Sequence, residues 1–274
     1  MEVIIPVGVN GRDISKFTEY CHQIGIKKVL LNGSFIPGYR EKGYVSSKDL
    51  KDIRTKLEDG GIKIGILTGG VLEPRVVVGD PKKQRQFLNL CRTIEAMGEN
   101  SIDTMFLGAW ILEAPEDKAE RAKRWQDVVR FYSALIEYAE KYGVRIATHS
   151  GGGRYPNGGM LGDDEALKRL LKEVPSKYNG VTYCLACSWK SRGDIYKFIR
   201  LFHDRIFLIH MQGMFWLKEQ PINHWKVVKV LKEVNYKGMI LAEHLPKIVG
   251  ETDHEIGTAL NVGYITALLS APNL

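Results

Sequence analysis

Four residues of metal-ligating type stand at the ends of four successive β-branched runs. His149 closes RIATHS, Cys184 falls in VTYCL, His210 in IFLIHM and Glu243 in MILAEH. Imidazole nitrogen, thiolate sulfur and carboxylate oxygen all ligate divalent metals. Imidazole and carboxylate suit manganese, whereas a thiolate pulls toward zinc or iron. Taken singly, a histidine at a strand end is commonly a structural hydrogen-bonder, and a buried cysteine is commonly a small apolar side chain. Four ligating residues on four consecutive runs point instead to a shared ion. Side chains alternate along a strand, so His149 shares a face with Ala147, Cys184 with Thr182, His210 with Leu208, and Glu243 with Leu241. Neighbouring strands lie about 4.8 Å apart, which lets four inward-facing ends converge.

The stretch TYCLACSW also carries a Cys-x-x-Cys spacing, Cys184 with Cys187. A redox pair is expected at a helix N-terminus, where the dipole lowers a thiol's pKa, but the next helix start signal, Gly193-Asp194, lies several residues on. A zinc knuckle needs a second pair nearby, whereas Cys21 and Cys91 fall in separate predicted helices. The reading is therefore one ligand, Cys184, and one bystander, Cys187.

Elements able to hold these residues alternate along the whole chain. The strands read as VIIPV, KKVLLN, KIGILTG, TMFLGAW, RIATHS, VTYCL, IFLIHM and MILAEH, with amphipathic helical stretches between them. Ser47 is positioned to cap a helix running to Asp59, and Asp80-Pro81 opens another that closes before Gly98. A long helical stretch runs from Pro115 to Tyr142. Asp194 and Asn223 start helices ending near His203 and Asn235, and IGTALNVGYITALLS closes the series. Eight such units in 274 residues predict a single-domain (β/α)8 TIM barrel over residues 1–274, since that fold typically takes about 250 residues. No Gly-x-Gly-x-x-Gly follows the first strand, which argues against a dinucleotide-binding sheet. Function then belongs at the C-terminal strand ends.

Composition narrows the partners. The chain is 44% hydrophobic and 26% charged, typical of a globular protein. Its net charge of +7 suits an acidic small substrate. Yet most lysines sit beside Glu or Asp, as in KVVKVLKEV, which is the pattern of a solvated helix face. Neither a nucleic-acid nor a membrane partner is expected. No apolar run reaches the roughly 18 residues of a membrane span, and MEVIIPVGVNGRD reads as a first strand and not a leader, so the expected location is cytoplasmic. Four cysteines do not suggest a disulfide framework. A homo-oligomer is left open.

IATHSGGG, GVTYCLACSW, IFLIHMQG and LAEHLP resemble successive strand ends of the xylose-isomerase-like barrels, and within them most resemble the mannonate dehydratases. The resemblance implies one divalent ion, Mn²⁺ first with Zn²⁺, Fe²⁺ or Co²⁺ as alternatives, on His149, Cys184, His210 and Glu243. The family has Asp-His where this chain has Glu243-His244, and its last helix is similar to TALNVGYITALLS. The implied reaction is a lyase step on a sugar acid: a metal-stabilised enediolate forms, and the neighbouring hydroxyl leaves as water. An isomerase or epimerase of a small sugar is the alternative, and a non-catalytic metal- or ligand-binding barrel a further one. Endonuclease-IV-like trinuclear chemistry is disfavoured, because the first four strands end without His or Glu.

His244, beside a ligand, is a candidate proton shuttle or a hydrogen-bonding support for that ligand. In the Gly-rich loop SGGGRYPNGG, Tyr155 is a second catalytic candidate and Arg154 a candidate for pairing a carboxylate. Lys190 and Arg192, after the sixth strand, are candidates for the same task. Asn32, Trp110 and Gln212, at strand ends, are candidates for lining the pocket.

Overall fold

A computed structural model describes residues 1–10, 13–150, 159–213, 222–245, 248–251 and 254–271, the side chains of residues 9 and 10 excepted. Its eight strands are β1 (Glu2–Asn10), β2 (Lys28–Asn32), β3 (Lys63–Val71), β4 (Thr104–Gly108), β5 (Arg145–His149), β6 (Asn179–Cys184), β7 (Ile206–Gln212) and β8 (Met239–Glu243). All neighbours pair in parallel, and β8 pairs back with β1, closing the barrel in sequence order. The helices are α1 (Ile14–Gln23), α2 (Tyr39–Lys42), α3 (Ser47–Asp59), α4 (Pro74–Val77), α5 (Gln84–Glu99), α6 (Lys118–Lys141), α7 (Asp164–Glu173), α8 (Leu185–Lys190), α9 (Ile195–Phe202), α10 (His224–Glu233) and α11 (Glu255–Ser270). The (β/α)8 barrel expected from the alternation is the fold observed.

Local chemistry accounts for the helix starts. Asp117, Asp163, Asp194 and Asn223 each cap a helix by accepting from the backbone N–H three residues on. At α3 the cap is Ser46, one residue before the expected Ser47, and Gly60 follows the helix. The long helix begins at Lys118, not Pro115, because Asp117 supplies the cap. A short 3-10 turn, Pro81–Lys83, precedes α5, and Gly98 lies inside that helix rather than beyond it.

Strand alternation divides the core in two. Ile4, Leu30, Ile66, Phe106, Leu208 and Leu241 point into the barrel and pack there as one cluster. Their strand neighbours, such as Ile5, Leu31, Leu67, Leu107 and Ile209, face outward under the helices. The inward set plugs the barrel and leaves its C-terminal mouth open above a hydrophobic floor.

Candidate metal centre

His149 ends β5 and His210 lies within β7, on the inward side of Leu208. Cys184 ends β6, directly opposite His210 in the strand register. One donor atom from each of His149, Cys184 and His210 lies within 4.8 Å of the other two, and all three residues are buried. Glu243 ends β8, and its Oε2 lies 3.0 Å from His210 Nδ1 and 3.9 Å from Cys184 Sγ.

The surrounding groups orient these donors. His149 Nδ1 donates to the Ser150 carbonyl at 2.7 Å, leaving Nε2 as a free lone pair. The His210 ring stacks on Phe106, centroids 5.6 Å apart with 9° between planes. Trp110 stands edge-on to His149 at 5.4 Å. Gly108 makes room for that indole, since a Cβ there would lie 2.3 Å from the Trp110 ring. Gln212 Nε2 points its amide hydrogen at Cys184 Sγ, 3.7 Å away.

The donor set fits a divalent ion. Both His210 ring nitrogens are buried without a satisfied hydrogen bond, although Nδ1 lies 3.0 Å from Glu243 Oε2. Orphaned buried nitrogens are costly unless something fills the gap, and a cation among two imidazoles, a thiol and a carboxylate does so. Burial, reinforced by the neighbouring His210, pushes His149 down to about 3. It is therefore the neutral imidazole that a metal requires. Burial alone would raise the Glu243 carboxyl, but His210, with His244 and His149 behind it, holds it near 2, fully ionised. The Cys184 thiol moves the other way. Contact with the Cys187 thiol raises it first, then burial and the Glu243 charge, so a cation must displace its proton.

Above the donors a cavity of ≈ 550 Å³ opens at the barrel mouth, within the usual size range for small-molecule sites. Asn32 and Trp110 line it, as do His244 and Glu243. His244 adopts a left-handed backbone (φ 52) and brings Nε2 to 3.5 Å from Glu243 Oε2. Pro6, Leu30, Phe106 and Leu245 add apolar lining.

Other sequence candidates fall elsewhere. Lys190 ends α8 and Arg192 follows it; both side chains are exposed and neither lines this cavity. Alternation does not reach past the strand, and α8 carries them outward. Gln212 is buried and attends the Cys184 sulfur, so it is a supporting group instead of a pocket wall. Arg154 and Tyr155 lie outside the described residues. Sequence reasoning missed Phe106, Thr68 and His254, all of which line the cavity. His254 caps α11 from the loop after β8, and its position in a βα loop was the available signal. Contrary to the expectation that the next helix starts at Gly193-Asp194, one starts at the Cys-x-x-Cys itself. α8 begins at Leu185 with Cys184 as its N-cap and Cys187 as its third residue.

The closed barrel of eight parallel strands, with helices between them, has the xylose-isomerase-like fold. A solved D-psicose 3-epimerase superposes with a TM-score of 0.77 over 99% of this chain and 100% of that one, at 13% identity. The mannonate dehydratase of Streptococcus suis serotype 2 superposes at 0.75, covering 92% of this chain and 88% of its own, at 18% identity. Residues 111–271, more than half of the chain, match the family model described as D-mannonate dehydratase (UxuA), and the chain belongs to that family. The mannonate dehydratase of Oceanobacillus iheyensis is 26% identical over 167 residues, 53% of this chain and 47% of that protein. By sequence the chain spans about half the length of the curated relatives it matches.

Proposed function

We propose that this protein is a divalent-metal-dependent lyase that dehydrates a sugar acid, with the ion held by His149, Cys184, His210 and Glu243 and manganese the first choice of metal. The observation that carries the reading is the convergence of three buried donors within 4.8 Å in a chain whose matched segment belongs to the mannonate dehydratases. A bound divalent ion supplies positive charge against the substrate's carboxylate and the negative charge that develops on it. A thiolate and a carboxylate together balance that ion's charge, while the two neutral imidazoles add none.

The chain's own residues do the rest. Trp110 and the apolar lining exclude water and hold the carbon skeleton, and Asn32 offers its amide at the rim. His244 is the group positioned to carry a proton. Its Nε2 lies beside Glu243 and its ring faces the cavity. In the overall reaction the proton next to the carboxylate is removed and the neighbouring hydroxyl leaves with a proton as water. The product is a 2-keto-3-deoxy acid.

A second reading has one observation in its favour. Among the described residues lining the cavity there is no Lys or Arg to pair a carboxylate, which suits a neutral sugar and an isomerase or epimerase. Incubating the manganese-loaded protein with aldonic acids and with ketoses in D₂O, followed by NMR, separates the two. A 2-keto-3-deoxy product supports the lyase. Deuterium incorporation or a new sugar without loss of water supports the isomerase, and silence across the panel favours a binding barrel. The ligand assignment is tested by elemental analysis of His149→Ala and His210→Ala, which should lose the metal; full occupancy in both would overturn it.

A further inference from the structure

We propose that Cys184 and Cys187 form a redox-active dithiol, which a hydroperoxide oxidises to an intramolecular disulfide that withdraws the thiolate from the metal site. The inference rests on the reading of Cys184 as a ligand. Cys187 is not among the converging donors, so one sulfur of the pair is committed to the ion and the other is spare.

Placement carries the argument. Cys184 caps α8 and Cys187 sits in its first turn. A disulfide needs Cα atoms about 4.4–6.8 Å and Cβ atoms about 3.5–4.5 Å apart. Helical rise and radius put Cα atoms three residues apart at about 5 Å. The extended backbone of the Cys184 N-cap (φ −88, ψ 113) releases its Cβ from the helical position, where such Cβ atoms stand about 5–6 Å apart. The turn they occupy is anchored: Tyr183 Oη and Ser188 Oγ both lie within hydrogen-bond reach of the buried Asp164 carboxylate, at 3.1 and 3.0 Å. Access is unequal, since Cys184 is 2% exposed while Cys187 is only half-buried. Cys21 and Cys91 are buried on α1 and α5, so neither competes for the pairing.

The chemistry then has an order. The Cys187 sulfur attacks a peroxide oxygen; an S–O bond forms, the O–O bond breaks, and water leaves when the oxidant is hydrogen peroxide. The Cys184 sulfur attacks the resulting sulfenic sulfur, the S–S bond forms, and the hydroxyl departs as a second water, taking the Cys184 proton in the metal-free protein and a solvent proton where the ion has already displaced it. Two thiols are oxidised by two electrons and one peroxide is reduced to two waters. The Cys184 sulfur ceases to be an anionic donor, and the ion loses a ligand.

The full chain, metal-stripped and manganese-loaded, is treated with hydrogen peroxide, alkylated, digested and read by mass spectrometry, with metal content followed in parallel. The stripped protein should lose two of its four thiols and yield a peptide linked between Cys184 and Cys187. Dithiothreitol should restore both thiols and metal uptake. The loaded protein should oxidise more slowly and release its metal as the disulfide forms. Cys187→Ser should keep its metal and give no linked peptide. Absence of the linked peptide from the folded, stripped wild type would overturn the dithiol. Should the disulfide form while the metal stays fully bound, Cys184 is no ligand. In that case the reading of the site fails and the withdrawal of a ligand fails with it, while the cysteine pairing stands.

Discussion

Gln212 shows how much of the metal site resides in groups that touch no ion. Its amide hydrogen is directed at the Cys184 sulfur, stabilising the thiolate over the thiol, and its side chain is almost fully buried. Losing an outer partner of this kind typically costs about 10- to 100-fold in metal affinity. Gln212→Leu should therefore weaken manganese binding by that factor in a calorimetric titration, with the fold intact by circular dichroism. Glu243→Gln should cost more. It removes an ionised carboxylate that His210 holds near a pKa of 2, leaving the ion with one negative ligand where two stood. Cys187→Ser should leave binding largely unchanged and Cys184→Ser should weaken it, because only Cys184 belongs to the converging set.

At the scale of elements, α11 reaches across the closing strands. Asn261 on it is fully buried, donates to the Glu243 carbonyl at 3.4 Å, and packs where Gly213 follows β7. A Cβ on Gly213 would lie 1.7 Å from Asn261 Oδ1, a clash no rotamer of a buried side chain absorbs cheaply. Gly213→Ala should destabilise the protein by about 1–3 kcal/mol in chemical denaturation, the usual cost of overpacking. It should also reduce metal occupancy, since the end of β8 moves with α11. Strand ends and most helix starts were legible in sequence because period-two apolar runs and Asp or Asn caps are local signals. His149, Cys184, His210 and Glu243 could be aligned for the same reason, each being two residues along a strand from an inward neighbour. α8 was not legible: LACSWK is six residues long, has no polar cap, and continues the apolar run of β6. Missing it sent Lys190 and Arg192 to the wrong place and hid the helical turn that Cys184 and Cys187 share. Phe106 reads only as another core residue until the barrel closes and its ring comes to lie against His210.

For the whole molecule the barrel divides into two kinds of wall. The first four strands furnish Pro6, Leu30 and Phe106 with the polar Asn32 and Thr68, and the last four furnish the donors. The family match covers the donor-bearing half, from residue 111, although all eight strands close one barrel. No helix among the described residues is long and apolar enough to cross a membrane. Much of the chain's charge lies in ion pairs at the surface, such as Arg200–Glu233 and Arg169–Glu173, which contribute little to stability. Acid sensitivity should instead come from buried groups. His224 is 3% exposed, lies 3.2 Å from the Tyr264 hydroxyl, and is pushed down to about 4 by burial. The unfolded chain, with histidine near 6.5, binds that proton more readily than the fold does. Stability is therefore full above pH 6.5 and falls as the pH drops toward 4, by about 3 kcal/mol for this one group. Asp164 acts in the opposite sense, because burial raises its carboxyl and falling pH there favours the folded state. Comparing wild type with His224→Gln cancels that contribution and every other shared one. Urea denaturation of the metal-free protein at pH 7.5, 6.0 and 4.5 should show the wild type losing the larger share of its stability, with the gap between the two curves narrowing as the pH falls. Parallel curves would mean that His224 carries its proton equally well in both states.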